Sequence, residues 1–128
     1  MVLVALVILG GVVIFVAWMV NNSDYDAKRR SLKRDSDIKN LKNSLDVHFL
    51  QENLYPFFEG CINGDDDLTR QLYDKGVMRP GALVADPLYP SDPEHCYYYS
   101  GGGGTYSIRI DMERVDEQGN AIYQYVQP

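Results

Sequence analysis

The sequence has no charged residue in its first twenty positions, no proline or glycine between Ser23 and Asn53, and only two cysteines. The first absence is typical of a segment that avoids water, and the second favours an unbroken helix. A zinc centre made from the two cysteines and the two histidines is disfavoured, because their spacing matches no known zinc motif. The shortage of cysteine also leaves one disulfide at most.

Acidic residues dominate the distal part of the chain. Lys and Arg number 12 and Asp and Glu number 18, and residues 43–128 hold five of the basic and fourteen of the acidic ones. Such a surface repels phosphate, so nucleic acid is not expected as the main partner.

Motifs of catalysis are missing. The chain has no nucleophile elbow, no zinc-binding helix and no phosphate loop, since the glycines 101–104 lack the lysine and the following helix of a phosphate cradle. We therefore predict that the protein is not an enzyme.

Residues 1–20 are long enough, at about 30 Å as a helix, to cross a bilayer. A cleaved signal peptide is the alternative, but the segment has no basic start and no small-residue cleavage site. We expect a retained transmembrane helix. Gly10 and Gly11 would weaken its centre by roughly 1 kcal/mol each.

The helix is predicted to continue to about residue 54. Ile38, Leu41, Leu45 and Phe49 recur at the spacing of an amphipathic helix, with Val47, Leu50 and Leu54 widening the apolar stripe. Pro56 then ends the helix.

The remaining chain alternates between turns and strands. A loop region with a short helix is expected over 55–96, with the helix over 67–75 and Gly76 at its end. A β-meander of about three strands follows over 97–128, in which Tyr106, Ile108, Ile110 and Met112 alternate with polar residues. The predicted fold is α+β, with a long N-terminal helix packed on a small antiparallel sheet. The predicted division of the chain is a hydrophobic helix over 1–20 and a globular domain over 21–128.

Cys61 and Cys96 can close a loop of about 36 residues as a disulfide, and two buried free thiols are the alternative. No cofactor is expected. The oxygen ligands of two acidic groups, Asp65, Asp66 and Asp67 and then Asp86, Asp92 and Glu94, could hold calcium, but their spacing matches no EF-hand. A solvated acidic loop, with Asp67 capping the short helix, is the preferred interpretation.

As an ordered set these features resemble the type IV pilin and type II secretion pseudopilin family. An apolar helix runs into "KRRSLKRDSDIKNLKNSLDVHFLQENLYP", followed by the Pro-rich "ADPLYPSDP", a "YYYS" strand and a "TYSIRIDME" strand. The family's leader, with its cleavage site and following glutamate, is not seen before Met1. The leader and the first mature residues are therefore predicted to be missing.

The resemblance implies a structural subunit of a type IV pilus or a secretion pseudopilus. Such a subunit is cut by a prepilin peptidase, methylated, held in the bacterial cytoplasmic membrane by one pass, and assembled outside it by dedicated machinery. Its partners would be copies of itself and other pilin-like subunits. The assembly helix would use these residues: Val4, Val7, Gly10, Gly11, Ile14, Phe15 and Trp18.

Two other functions stay open. One is a non-polymerising, membrane-anchored domain that binds a ligand outside the cell. The other is an adaptor facing the cytoplasm, which rests on the basic residues 28–34 after the apolar run, because basic flanks usually stay inside.

Overall fold

The structure, a computed structural model, describes residues 2–79, 82 and 84–128, without the side chains of 2–11, 14, 15 and 20–22. It contains two helices and four strands over these residues. They are α1 (Val2–Glu52), β1 (Tyr55–Ile62), α2 (Asp67–Asp74), β2 (Tyr97–Gly103), β3 (Thr105–Val115) and β4 (Ala121–Val126). The chain divides into two compact units, Met1–Lys33 and Arg34–Pro128.

The predicted α+β class is confirmed. One long helix packs on an antiparallel sheet, whose strands lie in the order β1-β2-β3-β4. The sheet has one strand more than expected, because residues 55–62 pair with β2 where the sequence predicted a loop. Pro56 is tolerated there since β1 is an edge strand, and the pairing shifts register between Tyr55 and Phe58.

The glycine run is not a four-residue turn. Gly101 and Gly102 pair with Tyr106 and Thr105, so the strand β2 continues into the run and the hairpin turn is short. A Cβ on Gly101 would lie 2.6 Å from the Cβ of Tyr106 and 2.7 Å from the hydroxyl oxygen of Tyr99. Glycine is needed here because two aromatic side chains fill the space.

The core lies in the second unit, between α1, α2 and one face of the sheet. Of the predicted packing residues, Leu41, Leu45, Tyr106, Ile108 and Ile110 are buried, and Ile38, Phe49 and Met112 are half-buried against them. Leu68 and Leu72 of α2 complete this core. Val47 and Leu50 are exposed, so the buried stripe on α1 is narrower than predicted.

The helix α2 begins after Asp66, which corrects the expected cap by one residue. Asp66 is buried, and its carboxylate accepts hydrogen bonds from the backbone nitrogens of Asn63, Gly64 and Thr69 and from the Thr69 hydroxyl. Asp67 instead faces Arg70 at the surface. The left-handed backbone of Gly76 (φ 68°) follows the helix, as expected of its C-terminal glycine.

The disulfide between Cys61 and Cys96 is confirmed, with the Cα atoms 5.5 Å apart. It joins the end of β1 to the residue before β2. The two strands are therefore linked covalently where their hydrogen-bonded pairing begins.

The expected membrane span is not supported. Among the residues that the structure describes, no helix is long and apolar enough to cross a membrane, which contradicts the transmembrane and single-pass predictions. The described side chains of α1 include few of the apolar run, and beyond Ser23 they are rich in charge, with the first acidic residue at Asp24 and basic residues from Lys28 to Arg34. The predicted processing region at Met1 lies outside the described residues.

Candidate assembly surfaces

The first unit exposes a cluster of apolar side chains on α1, which we call the apolar segment. Its described members are Val12, Val13, Val16, Trp18 and Met19, each more than half exposed. Trp18 belongs to the predicted assembly helix. The side chains of the other six predicted residues, Val4, Val7, Gly10, Gly11, Ile14 and Phe15, lie outside the described ones.

The apolar segment has no polar side among its described residues. At about 100° per residue, Val12, Val13 and Trp18 point in three directions separated by roughly 100–140°. A helix that packs on a single partner needs only one apolar stripe. Apolar side chains on several sides fit a helix that is surrounded by several partners.

The second unit holds its part of α1 with a buried ionic cluster of Arg34, Asp86 and Glu113. The Arg34 guanidinium donates from Nε to Asp86 Oδ2 at 2.6 Å and from a terminal nitrogen to Asp86 Oδ1 at 3.0 Å. The same terminal nitrogen lies 2.5 Å from Glu113 Oε1. Arg34 is on the helix, Asp86 in the loop before β2 and Glu113 on β3, so the cluster ties three segments together.

The position of Glu113 depends on an irregularity of β3. The pairing with β4 shifts register between Asp111 and Val115, and Glu113 has a left-handed backbone (φ 53°). The Asp111 carboxylate accepts a hydrogen bond from the Glu113 backbone nitrogen at 2.8 Å, which supports this turn of the chain. The bulge turns a residue of an exposed strand end toward the buried guanidinium.

Electrostatics favour the charged form of this cluster. Burial alone would lower the pKa of Arg34, but the hydrogen bonds and charges of Asp86 and Glu113 raise it above its ordinary value. One helical turn further, Asp37 accepts a hydrogen bond from the Tyr97 hydroxyl at 3.0 Å. Burial, followed by the nearby Asp37 charge, raises the pKa of Tyr97, so this phenol stays a donor.

The face of the sheet that points away from the core carries an aromatic surface. The Arg109 guanidinium lies over the rings of Tyr98 and Tyr123, at 5.0 and 4.9 Å from their centroids. Tyr125 is paired with Arg109 across β3 and β4 and is largely exposed. Tyr98 also donates to Glu59 at 3.2 Å. These contacts order the arginine and leave Tyr123 and Tyr125 at the margin of the sheet.

No site for a metal is assembled within residues 2–79, 82 and 84–128: no group of three or more His, Cys, Asp or Glu there could hold an ion. Three of the acidic residues that could hold calcium have other contacts. Asp66 caps α2 and Asp86 pairs with Arg34, while Asp92 lies 3.5 Å from the His95 ring. His48 faces the Leu54 carbonyl oxygen, so the two histidines serve different segments.

No protein-family model, curated protein or solved structure matches this chain. The fold defines a class of architecture, a long helix packed on a four-stranded antiparallel meander, and the pilin resemblance remains a prediction.

The sequence did not indicate the ionic cluster. Arg34 stood in a run of basic residues, and Asp86 and Glu113 lie 52 and 79 positions further on. One local signal was present in the sequence. Arg34 precedes Ile38 and Leu41 by four and seven residues, and this spacing places a charged residue on the apolar, buried face of the helix.

Proposed function

We propose that this protein is a pilin-like structural subunit that assembles into a filament through the apolar segment of α1. The observation that carries the proposal is the exposure of Val12, Val13, Val16, Trp18 and Met19 on several sides of one helix. Burying a side chain of this kind contributes about 1.5–3 kcal/mol. Contacts with neighbouring copies are the means of gaining that free energy.

The arrangement of the second unit supports the same role. Its core closes on the later part of α1, and its polar groups on the helix are paired with the loop and the sheet. The folded unit therefore does not require the apolar segment. A subunit of this design can keep its fold while the segment moves from one set of partners to another.

A filament is the geometry that such contacts favour. Contacts between different surfaces of identical subunits build an open helical array when the rotation between neighbours does not close into a ring. A bundle of apolar helices would form its centre, and the acidic second units would surround it. The copies of the chain and other pilin-like subunits are the proposed partners.

The test replaces apolar side chains with carboxylates in the cells that produce the protein. Val13→Asp with Val16→Asp puts two charges into the proposed helix bundle. The matched control is Leu50→Asp, on the same helix, where the native side chain is 84% exposed. Immunogold electron microscopy and sedimentation of the assembled fraction are the measurements, and thermal unfolding shows that each variant is folded.

We expect filaments containing the native chain and the Leu50→Asp variant, and at least a tenfold loss of sedimentable protein with the double variant. Filaments of equal abundance in all three would overturn the apolar segment as the assembly contact. A folded native chain that never sediments would favour a non-polymerising binding domain instead.

A further inference from the structure

The two edges of the sheet are built differently, and only one of them is blocked. At the β1 edge, Pro56 has no N–H to offer, and α2 lies against the strand. The Pro56 carbonyl oxygen accepts from the Tyr99 hydroxyl at 2.9 Å, and the Phe57 carbonyl oxygen accepts from Gln71 at 3.4 Å. Further strand pairing at β1 is therefore obstructed.

At the other edge, β4 itself carries no feature that keeps strands apart, since the bulge in its pairing with β3 lies on β3, between Asp111 and Val115. Its sequence, AIYQYV, contains no charge, no proline and no glycine. Within residues 34–79, 82 and 84–128, β4 pairs with β3 alone and forms the outer strand of the sheet. Natural proteins block such an edge with lysine, proline or a bulge, and an uncharged edge of this type is a template for another strand.

We infer that β4 pairs with β4 of a second copy of this chain, in antiparallel orientation about a two-fold axis at Gln124. Side chains opposite each other in an antiparallel pair must lie on the same face, so the axis must pass through a residue and not between two. An axis at Gln124 brings Tyr123 opposite Tyr125 and Ile122 opposite Val126.

This register is self-complementary on both faces. The two Tyr123–Tyr125 pairs extend the aromatic surface around Arg109 from one copy into the other, and cross-strand aromatic pairs stabilise sheets. On the opposite face, the Ile122–Val126 pairs flank the central glutamines. Ile122, Tyr123 and Tyr125 are exposed in the single chain, and pairing covers them.

Charge on the strand itself does not oppose a second copy at this edge. The chain has a net charge of −6, but the uncharged β4 allows two acidic chains to meet without placing like charges opposite each other. Lys42 donates to the Gln127 carbonyl oxygen at 3.0 Å, just beyond β4. The register places Gln127 opposite Ala121 of the second copy, so the ammonium group approaches the turn that holds Asp116 and Glu117.

The expected dimer is weak. Two six-residue strands form a small interface, and interfaces below about 1,200 Å² belong to weak, transient complexes. Neighbouring subunits of an assembly would raise the effective concentration and strengthen the pairing. The pairing itself does not depend on the proposed filament.

The experiment uses the full chain carrying Val13→Asp and Val16→Asp, so that self-association through the apolar segment does not contribute. Gln124→Lys puts two ammonium groups at the axis, and Gln118→Lys makes the same change of charge on the exposed turn. Sedimentation velocity up to about 1 mM measures the dimer, over the range in which weak interfaces associate. Amide hydrogen exchange shows which residues form the dimer interface.

We expect a dimer with slowed exchange confined to β4, at least tenfold weaker with Gln124→Lys and unchanged with Gln118→Lys. Mild oxidation of a Gln124→Cys variant should link two chains through residue 124. The absence of a dimer, equal association of the two lysine variants, or protection outside β4 would each overturn the pairing. Binding of another protein's strand to this edge in place of the second copy would do the same.

Discussion

The two parts of α1 differ in what surrounds them. Between residues 12 and 19 the described apolar side chains are exposed, whereas Leu41 and Leu45 in the second unit are buried against the sheet. Both parts form one continuous helix, Val2–Glu52. Apolar residues on a helix therefore stabilise the fold of a single chain only where they pack against other parts of that chain. Under the proposed function, the exposed part is covered by neighbouring copies.

The largest loss of stability is expected from disrupting the ionic cluster of the second unit. Arg34→Gln leaves Asp86 and Glu113 without their guanidinium in a buried place, and breaking such a cluster costs about 3–5 kcal/mol. Lys39→Gln, an exposed position on the same helix, is the control and should change stability by less than about 0.5 kcal/mol. Urea unfolding measures both, and equal losses would show that the cluster contributes nothing special.

The second largest loss of stability is expected from removing the disulfide. Replacing Cys61 and Cys96 together by serine frees a loop of about 36 residues and should cost roughly 3–4 kcal/mol of the free energy of unfolding. The same urea titration, with the native chain before and after reduction as a second comparison, checks the value. A variant as stable as the native chain would mean that the β1–β2 pairing alone holds these ends together.

The comparison within α1 can be tested directly by truncating side chains. Leu45→Ala removes a fully buried side chain and should destabilise the second unit by about 3 kcal/mol. Val16→Ala, in the apolar segment, should change the stability of the dissociated chain by less than about 0.5 kcal/mol, because its side chain is 51% exposed. Similar losses from both would remove the distinction between the two parts of the helix.

Alkaline pH tests the buried tyrosines of the core. Burial, followed by the charge of Asp46, raises the pKa of Tyr106 to about 12, and burial also raises the pKa of Tyr97 and Tyr99. The unfolded chain loses these protons first, near the ordinary value of 10.0. Their contribution to stability is complete below pH 10 and is lost as the pH rises through the folded-state values, by about 1.4 kcal/mol per pH unit for each tyrosine.

Urea unfolding at pH 8, 10 and 11, followed by tyrosinate absorbance, measures this loss. Tyr106→Phe should make the loss of stability at alkaline pH smaller. At pH 8 the same substitution should change the free energy of unfolding little, because no described residue accepts a hydrogen bond from that buried hydroxyl. Tyr125→Phe, at an exposed position, is the control. Unchanged stability between pH 10 and 11 would contradict the expectation.

The periodic spacing of apolar residues predicted the regular secondary structure that buries one face. The spacing of Leu41 and Leu45 indicated the buried face of α1, and the alternation of Ile108 and Ile110 indicated β3. The strand β1 was missed because Pro56 and Gly60 are typical of loops, and their tolerance depends on an edge position that only the folded sheet defines. The prediction of a membrane span was wrong. Among the described residues no helix is long and apolar enough to cross a membrane, so the apolar run in the sequence was not sufficient evidence for a span.

The ionic cluster was beyond prediction for another reason. Arg34, Asp86 and Glu113 meet through tertiary contacts, and Glu113 reaches the guanidinium only because β3 bulges. Long-range pairing of single charged residues leaves no periodic pattern in a sequence. The apolar segment could be expected from composition, and its exposed Trp18 is one of the residues named for the assembly helix, whose role stays a prediction.

The most direct measurement places a photo-crosslinking amino acid at Val16 or at Leu50 of the full chain in the cells that produce it. Both positions are exposed on α1, and only Val16 belongs to the apolar segment. We expect ladders of two, three and more copies from Val16, mapped by mass spectrometry to the same segment of neighbouring chains, and far fewer from Leu50. A Val16 probe that links to no other copy, or that links no better than the Leu50 probe, would contradict assembly through this helix.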